Sequence, residues 1–236
     1  MFDLYVVTDA GLSKGRSDHE VARLAYEGGA DAVQLRMKNA DGGPMLKEAL
    51  AIREAADEMC RIFVVNDRVD IAIASGADGV HLGQSDIPVS VAREMMGESA
   101  LIGASVHNVE EAVRAVEDGA DYLGVGAVFR TGTKKDALQS IGLQPIYEIK
   151  QAVKVPVVAI GGINRGNIQD VIRAGADSAA VASAVVAQDD IRAAAHELKD
   201  LILRVRPHVR PEDINFRYRF LHPPSQLRCF YYKLKH

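Results

Sequence analysis

Gly29-Ala30-Asp31 follows a helical stretch and precedes a short apolar run. The same tripeptide recurs as Gly76-Ala77-Asp78, Gly119-Ala120-Asp121 and Gly175-Ala176-Asp177. Successive copies start 47, 43 and 56 residues apart. One strand plus one helix takes roughly half of that, since eight such units fill about 250 residues. The tripeptide therefore marks every second βα unit, and four copies predict eight units closed into a (β/α)8 barrel. Its glycine suits a helix C-terminus, where a left-handed residue ends the helix without a Cβ clash. In such a barrel the chemistry belongs at the C-terminal ends of the strands.

Outward from the tripeptides, short Val-rich runs read as strands buried on both faces. They are residues 4–8, 32–36, 62–66, 79–83, 101–106, 122–129, 155–161 and 178–183. Amphipathic stretches at 45–59, 89–96, 109–118 and 144–153 read as helices. Asn108 before Val109-Glu110-Glu111 is an N-cap followed by acidic residues. Alternation of strands and helices favours a parallel sheet. A doubly wound open sheet is the alternative, and the regular pairing of units favours the closed ring.

The chain has 236 residues, 48% of them hydrophobic, and a net charge of −4. That length admits one barrel or two small domains. The charge gives no global attraction to nucleic acid or an anionic membrane. No apolar run reaches the ~20 residues that span a bilayer. Met1-Phe2-Asp3-Leu4-Tyr5 enters a strand with no basic segment, so no signal peptide is expected and a cytoplasmic location fits. The two cysteines, Cys60 and Cys229, form no metal-ligand pattern. Cys60 reads as a small buried hydrophobe rather than a disulfide partner. A homo-oligomer is compatible with the sequence.

Composition changes near Pro207. Residues 207–236 hold four of the eight prolines, six of the thirteen Phe and Tyr, and no glycine. Six Lys/Arg against two Asp/Glu give this segment +4, leaving −8 on the rest. Residues 1–206 are therefore expected to form the barrel, with 207–236 as an appended tail. A basic-aromatic interaction segment is the weaker reading.

Polar residues collect at the strand ends. Gln34, Arg36 and Lys38 alternate with Leu35 and Met37, so an amide and two cations share one face. Cations turned toward a barrel mouth call for an anion, and Arg and Lys are the usual phosphate partners. Asp67 and Asp86 follow the ends of adjacent strands. Either alone reads as a turn or cap residue. Together, opposite Arg36 and Lys38, they suit Mg²⁺, which takes few carboxylates and binds phosphate oxygens. Thr131-Gly132-Thr133-Lys134 supplies hydroxyls and a cation, without the Walker spacing. Gly161-Gly162 and Ala182-Ser183 follow strands seven and eight, where backbone N–H groups often hold a phosphate. Two anion sites result: a diphosphate with metal near strands two to four, and a monophosphate near seven and eight. His81 and His107 read equally as acid-base groups or as structural histidines. No GxGxxG fingerprint supports nicotinamide chemistry.

The motifs Tyr5-Val6-Val7-Thr8-Asp9, Gln34-Leu35-Arg36-Met37-Lys38, Val65-Asn66-Asp67-Arg68-Val69 and Gly76 through Gln84 open a longer series. Asp86, Pro88, Gly103 through His107, Phe129 through Lys134 and Val157 through Gly162 continue it. Over about residues 4–186 the series resembles thiamine-phosphate synthase. The resemblance implies a TIM barrel and a Mg²⁺-assisted transferase. Such an enzyme joins 4-amino-2-methyl-5-(diphosphooxymethyl)pyrimidine to 4-methyl-5-(2-phosphoethyl)thiazole and releases diphosphate. It implies that Gln34, Arg36, Lys38, Asn66, Ser105 and Lys134 bind the pyrimidine diphosphate. Of these, Arg36, Lys38, Ser105 and Lys134 would act in catalysis. Asp67 and Asp86 would hold Mg²⁺, and Thr131, Thr133, Gly162, Ala182 and Ser183 would bind the thiazole phosphate. The implied partners are these small molecules, with neither nucleic acid nor membrane.

Arg130 stands where the family usually has proline or a small residue, and the tail has no recognised counterpart. Two other functions compete: a thiazole tautomerase-like isomerase, which should lack the diphosphate and metal set, and a non-catalytic sensor of thiamine intermediates.

Overall fold

In a computed structural model of the chain, which describes residues 2–131 and 140–206, the eight strands form one closed parallel barrel in sequence order. Four strands, β1 (Leu4–Val7), β2 (Ala32–Leu35), β3 (Ile62–Asn66) and β4 (Gly79–Leu82), make the first half. The other four, β5 (Leu101–Val106), β6 (Tyr122–Val125), β7 (Val157–Ile160) and β8 (Ser178–Val181), complete it. Ring closure pairs Tyr5 of β1 with Ala180 of β8. The helices outside are α1 (Asp18–Glu27), α2 (Gly42–Met59), α3 (Val69–Ser75), α4 (Val89–Met96) and α5 (Val109–Glu117). They continue with α6 (Gln144–Ala152), α7 (Ile168–Arg173), α8 (Ser183–Val186) and α9 (Ile191–Val205). The open-sheet alternative is excluded. Among the described residues no helix is long and apolar enough to cross a membrane.

The period-2 pattern divides the apolar residues into two cores. Leu4, Val6, Val33, Leu35, Phe63, Val65, Ile102 and Leu123 face outward and pack under the helices. Tyr5, Val7, Ala32, Val64, Tyr122, Val158 and Ala180 face inward and fill the barrel with Phe2. Phe2, Tyr5 and Tyr122 meet edge to face, with centroids 5.1, 5.7 and 6.3 Å apart. This aromatic cluster forms a floor beneath the upper rim, where the strands end.

The tripeptide occupies the lower rim. Its four glycines have φ between 64° and 106°. Its four aspartates repeat one arrangement. Each opens an even-numbered strand, accepts a backbone N–H at the start of the preceding odd strand, and meets a cation from the helix before that strand. Asp78 accepts from Phe63 N at 2.8 Å and from Arg53 Nη1 of α2 at 2.7 Å. Asp121 accepts from Ile102 N at 2.7 Å and from Arg93 of α4 at 2.6 Å. Asp177 accepts from Val157 N at 2.9 Å and pairs with Lys150 of α6. Asp31 accepts from Leu4 N at 3.1 Å and pairs with Lys199 of α9. The repeat thus locks odd and even units together, two by two.

Several expectations are corrected. Six of the eight strands are shorter than expected, and β6 stops at Val125 rather than residue 129. A Cβ at Gly126 would lie 2.0 Å from the Ile160 carbonyl oxygen, so the chain leaves the ladder there in close backbone contact. Val128 N and Phe129 N still donate to the Ile160 and Gly161 carbonyls at 2.9 and 3.0 Å. Asn108 caps α5 as expected, accepting from Glu111 N at 2.9 Å. Cys60 ends α2 in a left-handed conformation with φ 55°. It is half-buried rather than buried.

Candidate active site

The upper rim opens into a cavity of about 530 Å³. Every expected site residue among those described lines it: Gln34, Arg36, Lys38, Asn66, Asp67, Asp86, Ser105, Thr131, Gly162, Ala182 and Ser183. Thr133 and Lys134 lie outside the described residues, as does the tail from Pro207. Arg130 is exposed and is not part of the lining.

Loop geometry after β2 and β3 sets the charges. Arg36 N donates to Thr8 Oγ1 at 3.1 Å, and Thr8 N donates to the Gln34 carbonyl at 2.9 Å, so β1 anchors the end of β2. The Arg36 guanidinium then reaches Asp9 at 3.1 Å. Asp9, quoted above only as the end of the first motif, is thus the partner of Arg36. Lys38 stands 3.5 Å from Asp67.

Asp67 has φ 62°, a left-handed turn that aspartate tolerates better than most residues. Its N–H donates to the His81 carbonyl at 2.9 Å. Its carboxyl lies near enough to that of Asp86 for the two to interact. Burial, and then the facing Asp86, push the Asp67 carboxyl above the usual carboxylate range, although Lys38 opposes the shift. Two carboxyls held face to face in this way suit a shared cation, which would remove their repulsion. Asp86 also accepts from Gly83 N at 2.6 Å, closing the turn after β4. It does not cap α4, whose N-cap is Pro88.

Opposite lies a glycine-lined wall. Gly161 and Gly162 have φ of 104° and 65°. A Cβ at Gly162 would sit 2.6 Å from the Arg130 carbonyl oxygen, so glycine is needed for both conformation and close approach. Ser183 is exposed and begins the four-residue α8, and Ala182 stands at the cap position.

The histidines now differ. His107 is on the mouth, 2.9 Å from Glu111 Oε2. His81 lies deeper, its ring tilted against Tyr122 at 5.4 Å between centroids. Its Nδ1 is 3.1 Å from Tyr122 Oη, and its Nε2 is 3.0 Å from Ser105 Oγ. Gly103 and Gly124 make the room: a Cβ at Gly103 would fall 2.1 Å from Tyr122, and one at Gly124 would fall 2.8 Å from the His81 ring. Sequence reasoning missed Tyr5 and Tyr122 as lining residues. The signal available was the run of small residues on β4 to β6 at inward positions, which leaves space for a few large side chains.

Comparison with known proteins identifies a family. A family model described as thiamine monophosphate synthase matches residues 4–185. A thiamine-phosphate synthase of Chloroflexus aurantiacus is 55% identical over 84% of this chain and 92% of its own length. One of Methanoculleus marisnigri is 51% identical over 89% and 99%. The structure of a thiamine phosphate pyrophosphorylase from Pyrococcus furiosus superposes with a TM-score of 0.80 at 44% identity, covering 87% of this chain and 97% of that one.

Proposed function

We propose a reaction for this cavity from one premise: the chain belongs to the thiamine monophosphate synthase family and is a transferase of thiamine biosynthesis acting on small molecules. The reaction joins 4-amino-2-methyl-5-(diphosphooxymethyl)pyrimidine to 4-methyl-5-(2-phosphoethyl)thiazole. Gln34, Asn66 and Ser105 hold the pyrimidine, while Arg36, Lys38 and Lys134 hold its diphosphate. Thr131, Thr133, Gly162, Ala182 and Ser183 receive the thiazole phosphate.

Asp67 and Asp86 would hold Mg²⁺, which when bound would neutralise charge on the diphosphate. Arg36 and Lys38 stabilise the same charge as the C–O bond breaks and its electron pair leaves with diphosphate. The pyrimidine methylene carbon is left cationic. The thiazole nitrogen, kept in line by its anchored phosphate, supplies the lone pair that forms the C–N bond. No proton need be removed from the nucleophile, which accords with a site whose histidines are tied to neighbouring side chains.

One observation carries the reading: two cations and a facing carboxyl pair share one mouth, across from a glycine-lined wall. An isomerase of the thiazole phosphate has no use for that charge set. A sensor has no use for a group poised against a leaving diphosphate. Phosphorylated substrates do not cross membranes unaided, which supports a cytoplasmic reaction. The barrel through Arg206 is the catalytic unit in this reading, and the tail is an addition to it.

The test is a coupling assay with both precursors and Mg²⁺, read as the fluorescent oxidation product of thiamine phosphate. Product that disappears on adding EDTA and returns with excess Mg²⁺ is expected. Folded protein that gives no product would overturn the reading.

A further inference from the structure

The cavity floor carries a continuous chain of side-chain hydrogen bonds across five strands. Gln34 Nε2 donates to Tyr5 Oη at 2.8 Å. Tyr5 Oη and Tyr122 Oη are 3.2 Å apart. Tyr122 Oη meets His81 Nδ1 at 3.1 Å, and His81 Nε2 meets Ser105 Oγ at 3.0 Å. Gln34, Tyr5 and Tyr122 are buried. All five line the cavity.

With the Gln34 amide nitrogen facing Tyr5, the chain runs in one direction. Burial pushes both tyrosine hydroxyls above their usual range, so each keeps its proton and must donate it. Among the described residues Tyr5 has two hydrogen-bond neighbours, Gln34 and Tyr122. The Gln34 amide nitrogen can only donate, so Tyr5 gives its proton to Tyr122. Tyr122 has already accepted from Tyr5 and gives its own to His81 Nδ1. When neutral, the ring then carries its hydrogen on Nε2 and donates to Ser105 Oγ. Ser105, having accepted, turns its O–H toward the cavity. At the far end, Gln34 has committed its N–H and offers its carbonyl oxygen.

We propose that Tyr122 is a positioning residue that, through Tyr5 and His81, fixes Gln34 as a hydrogen-bond acceptor and Ser105 as a donor toward the bound heterocycle. That pairing complements a ring bearing an amino group and unprotonated nitrogens, and discriminates against one bearing a carbonyl and an N–H. The consequence for substrate rests on the reaction proposed above; the wiring does not. With the Gln34 nitrogen facing Tyr5, an opposite wiring would leave a buried hydroxyl proton without an acceptor, which is costly.

Two measurements test it. The first is ¹⁵N NMR of the histidine rings in the full-length protein, with His81 assigned by loss of its signals in His81→Gln. At a pH where the ring is neutral, the expected pattern is protonated Nε2 and bare Nδ1. A ring protonated at Nδ1 overturns the proposal, and no variant needs to fold for that reading. In Tyr122→Phe the ring should relax to a mixture of tautomers. In Tyr5→Phe the tautomer should persist, because Tyr122 can still donate to it.

The second is steady-state coupling. Tyr122→Phe should raise KM for the pyrimidine diphosphate roughly 5- to 10-fold, the scale of one lost hydrogen bond. The thiazole phosphate KM and kcat should stay within about twofold. Tyr5→Phe should raise the same KM through Gln34 alone. Equal KM values in parent and Tyr122→Phe would overturn the positioning role. A folded parent with the Nε2–H ring but no coupling would overturn the proposed reaction and leave the wiring standing.

Discussion

At the lower rim, Asp31, Asp78, Asp121 and Asp177 each meet a cation and a backbone N–H. At the upper rim, Asp67 meets Asp86. The residue types are the same, and the difference lies in what completes them. Below, every carboxylate is satisfied by the chain, and its charge holds strands in register. Above, two carboxylates face one another and nearby cations are only partly engaged. A proton on Asp67, or a cation from outside the chain, relieves that opposition. In a barrel of this kind the lower face serves stability and the upper face serves chemistry.

The contrast breaks most sharply at Asp78. Asp78→Ala strips the buried Arg53 of its closest partner, whose side chains are 7% and 1% exposed, and frees the Phe63 N–H. Asp57, 2.8 Å from Arg53, remains. A loss of about 3–5 kcal/mol is expected in denaturant unfolding. A loss below about 1 kcal/mol would show that the lower rim is not what holds the units together.

Asp67→Asn should do the reverse. It keeps the left-handed turn and removes one of the facing charges. Coupling should fall by at least on the order of 10²-fold. Metal-free stability should rise slightly, chiefly toward neutral pH. The sign follows from the raised Asp67 carboxyl. The folded state holds that proton more tightly than the unfolded one. Stability is therefore full below the ordinary aspartate value of about 3.9 and declines as pH rises through the raised one. The amide cannot titrate, so the variant should lose that decline. Thermal melts from acid to neutral pH in EDTA would check it, and a variant less stable than the parent would reverse the comparison.

Ending the chain at Arg206 should have the smallest effect. We expect kcat/KM unchanged within about twofold, because every residue assigned to the proposed site precedes Arg206 in the sequence. A measured loss would give the tail a share in the site.

The eight-unit ring was legible because glycine at a helix end and a buried Val-rich run are local signals, and the tripeptide repeats both. The aspartates' task was not legible, because each partner lies on a helix one unit earlier. Lys or Arg does recur 25, 27 or 28 residues before Asp78, Asp177 and Asp121. The upper-rim residues came through by position: a polar residue at the end of a Val-rich strand has little structural reason to be there. Tyr5 and Tyr122 did not come through. Their hydroxyls meet across 117 residues, and no local pattern sets which inward side chains touch inside a barrel. The strand ends were overestimated because Val128 and Phe129 look like strand and remain hydrogen-bonded to β7, though the ladder has already ended.

Lys199 binds both Asp3, at 2.7 Å, and Asp31, and Arg206 binds Asp3 again. The last helix among the described residues thus fastens the first strand, across 196 residues of chain. On the ribosome, β1 and β2 are made first and wait for their fourth clasp until α9 has been synthesised. The earlier three clasps join neighbours and can form as the chain emerges. Ring closure is thus the contact with the longest sequence separation and the highest loop entropy to overcome.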